Sequence, residues 1–344
     1  MTTAGAAVMD PTTQHALVVG IEHYREYTPL KSPRRDAARF CRWLEDVAQV
    51  PPENIHLVAG EGDGTPTNDD ILQAVDSLGP RQGARKGSRL YVYYAGHGLG
   101  PNCLEVALLP ANAGINRIEY QCFGVGKWLD YFTRTRLFDE VILFLDCCRE
   151  EQSVETIGLP YKPVQLFQNA IDEQINYFAL MGSGHGGKSF EETDRDNERG
   201  LMTDALLEGL NGAPGAVDPA TGNCITTESL QRYVMARVAE NTQFNQKVEP
   251  WVMTGTPMTL RTLPAIPELT LTIVVGPQTA GKTLQLLNPK TRNLRVLGPA
   301  VANAALPPIV IAANTRHQLM TDDLGWQSIL DPSQMSEPYE LHLP

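Results

Sequence analysis

Two short stretches of the chain hold residue types that nucleophilic catalysis needs. Residues 95–100 read AGHGLG and set His97 between two glycines, directly after the apolar run RLYVYY. Residues 144–150 read FLDCCRE and set two adjacent cysteines at the end of the apolar run VILFLD. A thiol becomes a strong nucleophile when an imidazole takes its proton, and the same imidazole can later protonate a leaving amine. A histidine between glycines sits in a tight turn without bulky neighbours, so its ring can reach an open cleft. Read alone, His97 is as readily a turn histidine with no chemical role, and a free cysteine is more often a small buried hydrophobe.

The pair is more informative than either part. Side chains alternate faces along a strand. Carried to the end of residues 141–148, that rule puts Asp146 and Cys148 on one face and Cys147 on the other. Cys147 then fills the core, and Cys148 is the candidate nucleophile with His97 as base and acid. The imidazole is expected to hold the thiol as thiolate, below the free value of about 8.5. The backbone N–H groups of Gly98 and Cys148 are candidate oxyanion donors. A redox pair made of Cys147 and Cys148 is disfavoured, because adjacent cysteines strain a disulfide.

These residues must be positioned by strands that end at one edge. HALVVGI (15–21), NIHLV (54–58), RLYVYY (89–94), VILFLD (141–146), INYFALM (175–181) and PWVMTG (250–255) read as strands. RRDAARFCRWLEDVA (34–48), TNDDILQAVDSL (67–78), LMTDALLEGL (201–210) and TESLQRYVMARVA (227–239) read as helices. Near-continuous apolar strands alternating with helices predict an α/β fold, with a mainly parallel sheet covered on both faces. Ligands of such sheets bind beyond the carboxyl ends of the strands, where His97 and Cys148 fall. Residues 1–13 read as a tail and 14–260 as the main domain. A proline-bearing linker over 261–268 leads to a small β-rich domain over 269–344, expected to be a sandwich.

Composition narrows the partners. The 344 residues are 42% hydrophobic with a net charge of −12, and from residue 265 on, five basic residues nearly balance six acidic ones. The acidity therefore belongs to the main domain, which argues against nucleic acid or an anionic membrane and mildly favours basic substrates. The six cysteines show neither metal-ligand spacing nor a paired framework. No basic leader or long apolar stretch opens the chain, so a reducing, cytoplasmic setting with free thiols is expected.

With these residues in hand, the chain resembles the caspase-like cysteine peptidases, which include caspases, metacaspases and bacterial relatives. His97 precedes Cys148 by 51 residues. ALVVGIEHY resembles the family's first-strand motif, DAARF (36–40) the Asp-Ala opening its first helix, YYAGHG the histidine motif and LDCCR the cysteine motif. GLMTDALLEGL (200–210) is similar to a late Gly-x-x-Thr helix of bacterial members. The resemblance covers roughly residues 14–255. It implies a cysteine endopeptidase acting on proteins or peptides. Where animal caspases have glutamine two positions before the nucleophile, this chain has Asp146, as metacaspases do. By that similarity Asp36 and Asp146 line the specificity pocket and favour arginine or lysine. The physics agrees, since two facing carboxylates repel unless a cation bridges them, and a guanidinium can satisfy both. Asp36 could otherwise be a helix N-terminal acid favoured by the dipole. Glu150 stands where caspases have glycine. The resemblance also carries a weak possibility of calcium binding in SFEETDRDNERG (189–200), which is otherwise read as a solvated surface loop without a cofactor. A defence role is implied by bacterial relatives alone. Self-cleavage is considered at Lys162, Arg195 or Arg199.

One motif points elsewhere. GPQTAGKT (276–283) has the spelling of a phosphate-binding loop. Such a loop must open a helix, yet Pro289 follows Thr283 closely and LQLLN is barely one turn. It is read as a hairpin loop, and a nucleotide-hydrolysing function is set aside. The alternative to an active peptidase is a catalytically silent caspase-like scaffold that binds a protein partner. Under either reading the C-terminal domain is expected to recognise a substrate or a regulatory partner.

Overall fold

The computed structural model describes residues 9–60, 65–79, 85–102, 105–151, 175–194, 197–218, 223–241, 243–253, 256–264, 268–288, 293–312, 316–332, 335 and 339–344. Lys162, Arg195 and part of the expected linker lie outside them. In chain order the elements begin with β1 (Gln14–Gly20), α1 (Pro33–Asp46), β2 (Ile55–Val58), α2 (Asn68–Leu78) and β3 (Gly87–Ala95). There follow β4 (Gly98–Asn102), β5 (Glu105–Leu108), α3 (Ile118–Gln121), β6 (Phe123–Gly124), α4 (Val125–Thr135), β7 (Phe138–Asp146) and β8 (Glu150–Glu151). Next come β9 (Asn176–Met181), β10 (Glu191–Asp194), β11 (Asn197–Gly200), α5 (Leu201–Leu210), β12 (Cys224–Thr226), α6 (Thr227–Ala239), β13 (Glu249–Met253) and β14 (Thr259–Thr262). The chain ends with β15 (Glu268–Val274), β16 (Thr283–Asn288), β17 (Asn293–Pro299), β18 (Ile309–Ala312), β19 (His317–Thr321), β20 (Gln327–Leu330) and β21 (Glu340–His342).

The central sheet has six strands in the order β13-β9-β7-β3-β1-β2. All its pairs are parallel except the edge pair of β13 with β9. Its middle strands are apolar because both faces are covered. On one face Phe40 of α1 stacks on Tyr93 at 4.7 Å and meets Phe144 edge-on. The alternate residues Val92, Tyr94, Leu143 and Leu145 join Ile71 and Val75 of α2 and Trp128 and Phe132 of α4 in a second core. α2 starts with a capping box in which Thr67 and Asp70 bond each other's backbone N–H, satisfying two donors that the helix leaves open.

Register fixes the active edge. Gly20 pairs with Ala95, and Ala95 pairs with Asp146, so β1, β3 and β7 end together. His97 and Cys148 each lie two residues past the last residue of an adjacent strand. A small sheet of order β6-β5-β4-β8 continues from that edge.

By its contacts the chain divides into two compact units, Met1–Leu207 with Val238–Pro257, and Glu208–Arg237 with Met258–Pro344. The second contains the sheets β18-β15-β21 and β17-β16-β19-β20. Leu269 and Ile309 from one sheet and Leu284, Leu319 and Leu330 from the other share one core, as a sandwich requires. GPQTAGKT is a loop but not a hairpin loop, because β15 and β16 belong to different sheets. A strand begins at Thr283 where a phosphate-binding loop would open a helix, and Lys282 pairs with Asp323 at 3.0 Å. Residues 189–200 also differ from the loop reading: β10 and β11 form an antiparallel hairpin. Its carboxylates gain partners that the local sequence does not reveal, with Glu198 bonding Lys31 at 3.6 Å.

Among the described residues, no helix is long and apolar enough to cross a membrane. Among them, too, no group of three or more His, Cys, Asp or Glu side chains is arranged to hold a metal ion. The side chains of residues 192–197 lie outside that description.

Candidate active site

A cleft opens at the carboxyl edge of the sheet, lined by Asp36, His97, Asp146 and Cys148. Leu30, Phe190 and Glu191 also border it. The four side chains singled out in the sequence therefore share one cavity.

Strand alternation sorts the two cysteines. Cys147 is 1% exposed and packs in the core with Leu143 and Leu145. Cys148, half-buried, faces the cleft and accepts a hydrogen bond from the Ser189 N–H at 3.3 Å. The expectation of a thiol held below its free value is not what these surroundings favour. Burial pushes the Cys148 thiol up, while the Ser189 N–H acts in the opposite direction. Among the described residues the Cys148 N–H has no hydrogen-bond partner. Gly98 must be glycine, since a Cβ there would lie 2.7 Å from both the Cys147 sulfur and the Cys148 carbonyl oxygen. This close approach keeps its backbone beside that of Cys148.

His97 is held by residues that spacing alone does not reveal. Its backbone N–H donates to the Tyr24 hydroxyl at 2.7 Å, and the Tyr94 hydroxyl donates to its carbonyl at 2.7 Å. The Tyr24 and Tyr27 rings lie 4.6 and 5.8 Å from the imidazole. Nε2 is 2.7 Å from the Thr28 carbonyl, which can only accept. In the neutral ring Nε2 therefore carries the proton, and Nδ1 keeps the basic lone pair.

The two carboxylates face each other across Gly200. A Cβ on Gly200 would lie 2.4 Å from Asp146 Oδ2 and 3.1 Å from Asp36 Oδ2. Asp36 is 1% exposed, accepts from the Gly200 N–H at 2.7 Å and meets Arg39 at 3.2 Å. Burial raises its carboxyl to about 7, opposed by the Gly200 N–H and assisted by the nearby Asp146 charge. Burial pushes Asp146 up as well, against donors from Ser189 and Thr203. Those donors are the Ser189 hydroxyl at 2.5 Å, and the Thr203 hydroxyl and N–H at 2.7 and 3.1 Å. The Gly-x-x-Thr spelling of residues 200–203 thus supplies one donor to Asp36, from Gly200, and two to Asp146, from Thr203. Glu191 accepts from the Lys31 and Ser32 N–H groups at 3.1 and 2.8 Å, tying the β10–β11 hairpin to the segment before α1. Glu150 is exposed, lies in β8, which pairs in parallel with β4, and bonds Lys188 at 2.8 Å. Arg199 lies in β11 and pairs with Asp204 at 3.4 Å.

Comparison with known proteins identifies the family and the fold. A family model for the caspase domain matches residues 13–259. The chain belongs to the caspase-domain family of cysteine peptidases. A probable protease from a Desulfuromonadales bacterium is 30% identical over 224 residues, 58% of this chain and 26% of that protein. The chain thus matches about a quarter of that curated relative's length. The crystal structure of caspase-1 from Spodoptera frugiperda superposes with a TM-score of 0.51 at 14% identity. That superposition covers 77% of this chain and 97% of the insect protein, and it shows the caspase-like fold.

Proposed function

We propose that this caspase-domain chain is a cysteine endopeptidase that cleaves proteins after arginine or lysine. The single observation behind the reading is the common cleft of His97, Cys148, Asp36 and Asp146. A substrate carbonyl enters beside Cys148. As sulfur attacks, the thiol proton passes to His97 Nδ1, and the imidazolium keeps its Nε2–H on the Thr28 carbonyl. The N–H groups of Gly98 and Cys148 receive the oxyanion. Collapse breaks the C–N bond, the amine leaves with the proton from His97, and a thioester remains. Water, deprotonated by His97, then releases the acid and the thiol.

The burial of the thiol supports proton transfer during attack rather than a standing thiolate. The paired carboxylates support a cationic side chain before the cut, with the fork of arginine reaching both. The span 14–260 serves as the peptidase part, joined through 261–268 to the 269–344 module, which recognises a substrate or regulatory partner. Action in the cytoplasm, within a bacterial defence or regulated-proteolysis system, belongs to the same proposal.

A fluorogenic peptide panel varying the residue before the cut tests it. Arginyl and lysyl peptides are expected to be cleaved, and aspartyl and uncharged ones far less. Better cleavage of aspartyl peptides rejects the pocket assignment. No cleavage of any peptide rejects the peptidase, and cleavage that Cys148→Ala leaves unchanged rejects Cys148 as its nucleophile.

A further inference from the structure

Gln246 lies outside every motif, yet it reaches the cleft wall. Its side chain is 3% exposed and sits just before β13. The amide orientation is fixed by its neighbours. The Phe190 N–H, which can only donate, is 2.9 Å from Oε1, and the Gly182 carbonyl, which can only accept, is 2.8 Å from Nε2. The same Nε2 donates to the Ser189 hydroxyl oxygen at 3.0 Å. Ser189 therefore accepts from Gln246, and its one hydroxyl proton is directed to Asp146 Oδ1 at 2.5 Å. Phe244 stacks on Phe190 at 5.0 Å, so residues 244–246 grip 189–190 by ring and by amide.

The far side of Asp146 repeats the pattern. Its Oδ2 accepts from the Thr203 hydroxyl, which lies 2.6 Å from the Tyr93 hydroxyl. Asp146 thus receives protons from both flanks. A protonated carboxyl would have to donate from one oxygen, and the Ser189 or Thr203 hydroxyl bonded to that oxygen would have to turn its own proton away in a buried place. The other titratable groups around it are Asp36 from α1, Glu191 from β10, Tyr93 from β3, His97, and the adjacent Cys147 and Cys148.

We infer that Gln246 is a positioning residue for substrate selection: it aims the Ser189 hydroxyl at Asp146 and so keeps Asp146 presented as the anion that binds a substrate cation. The inference rests on the pocket reading proposed above. Its ligand class is a guanidinium or ammonium side chain.

The test compares an arginyl peptide with its citrullyl counterpart, which has nearly the same shape without the charge. Gln246→Leu is expected to lower kcat/KM for the arginyl peptide about tenfold while changing the citrullyl peptide less than about twofold. Ser189→Ala keeps the backbone N–H on Cys148 and is expected to lower the same ratio. In the Ser189→Ala background Gln246→Leu should add nothing further. A proportional fall for both peptides means a merely structural role and overturns the inference, as does an unchanged ratio. If Gln246→Leu does not fold, Ser189→Ala decides alone. Calorimetry with agmatine separates this inference from the peptidase reading. Binding by the wild-type chain that Gln246→Leu weakens about tenfold supports the inference even if no peptide is cut. Failure of the wild-type chain to bind agmatine overturns it.

Discussion

Cys147 and Cys148 are neighbours in the chain but face opposite sides of the sheet. Cys147 is enclosed with Leu143 and Leu145, and Cys148 borders the cleft with His97. Cys148→Ala is therefore expected to abolish peptide cleavage. Cys147→Ala should retain it and lose about 1–2 kcal/mol of stability. Iodoacetamide should label Cys148 first, as peptide mapping would show. Labelling of Cys147 ahead of Cys148 would contradict the assignment.

Gly98 separates stability from activity. A methyl group at this position meets the Cys148 carbonyl oxygen at 2.7 Å, and the backbone next to the nucleophile must move. Gly98→Ala should lower kcat at least about a hundredfold, the scale of losing an oxyanion donor. Paired with circular dichroism melting, a folded but inactive variant is the expected outcome.

Asp36 sets a pH dependence. Its carboxyl is raised from 3.8 to about 7 in the folded chain. The folded state thus binds this proton more tightly than the unfolded state does. Its contribution to stability is most favourable below about 4 and is lost as pH rises toward 7. Asp36→Asn should therefore raise Tm more at pH 8 than at pH 5. For an arginyl peptide the charged carboxylate is the binding form, so KM should fall between pH 6 and 8. That fall should flatten in Asp36→Asn.

Glu191 holds the segment before α1 against the hairpin through backbone donors of Lys31 and Ser32. Glu191→Gln weakens bonds to a charged acceptor, at a cost of about 1–2 kcal/mol. The expected result is a lower Tm and a KM raised several-fold, because Glu191 also borders the cleft. Steady-state kinetics beside a melting curve would check both.

The GPQTAGKT loop leads into a strand, and Lys282 is paired with Asp323. ATP or GTP with magnesium should leave the melting temperature unchanged, and scanning fluorimetry is sufficient to see it.

The fold was legible where the chain states it by period. VILFLD and RLYVYY are unbroken apolar runs that end in glycine, cysteine or charge, and their ends became the active edge. Alternation alone separated Cys147 from Cys148. The side sheet was not legible, because GLGPN and EVAL are too short and too broken to show a strand pattern. α4 does carry a signal, with Trp128, Leu129 and Phe132 at helical spacing and buried together. The direction of β13 could not be read, since apolar content is the same for either sense of pairing. Tyr24, Thr28, Ser189 and Gln246 act through contacts between segments far apart in the chain, and no local pattern encodes such contacts. Thr203 lies within the Gly-x-x-Thr spelling, but only the fold brings it to Asp146.

The Ser189–Gln246 contact also bears on the order in which the molecule comes into being. A ribosome delivers His97 and Cys148 well before the stretch containing Gln246 and the edge strand β13 after it. A nascent polypeptide thus owns its reactive sulfur while the grip on Ser189 is still unmade. On the proposed reading, discrimination between substrates waits for a late-arriving segment, whereas the sulfur and the imidazole are already in the emerged part of the chain.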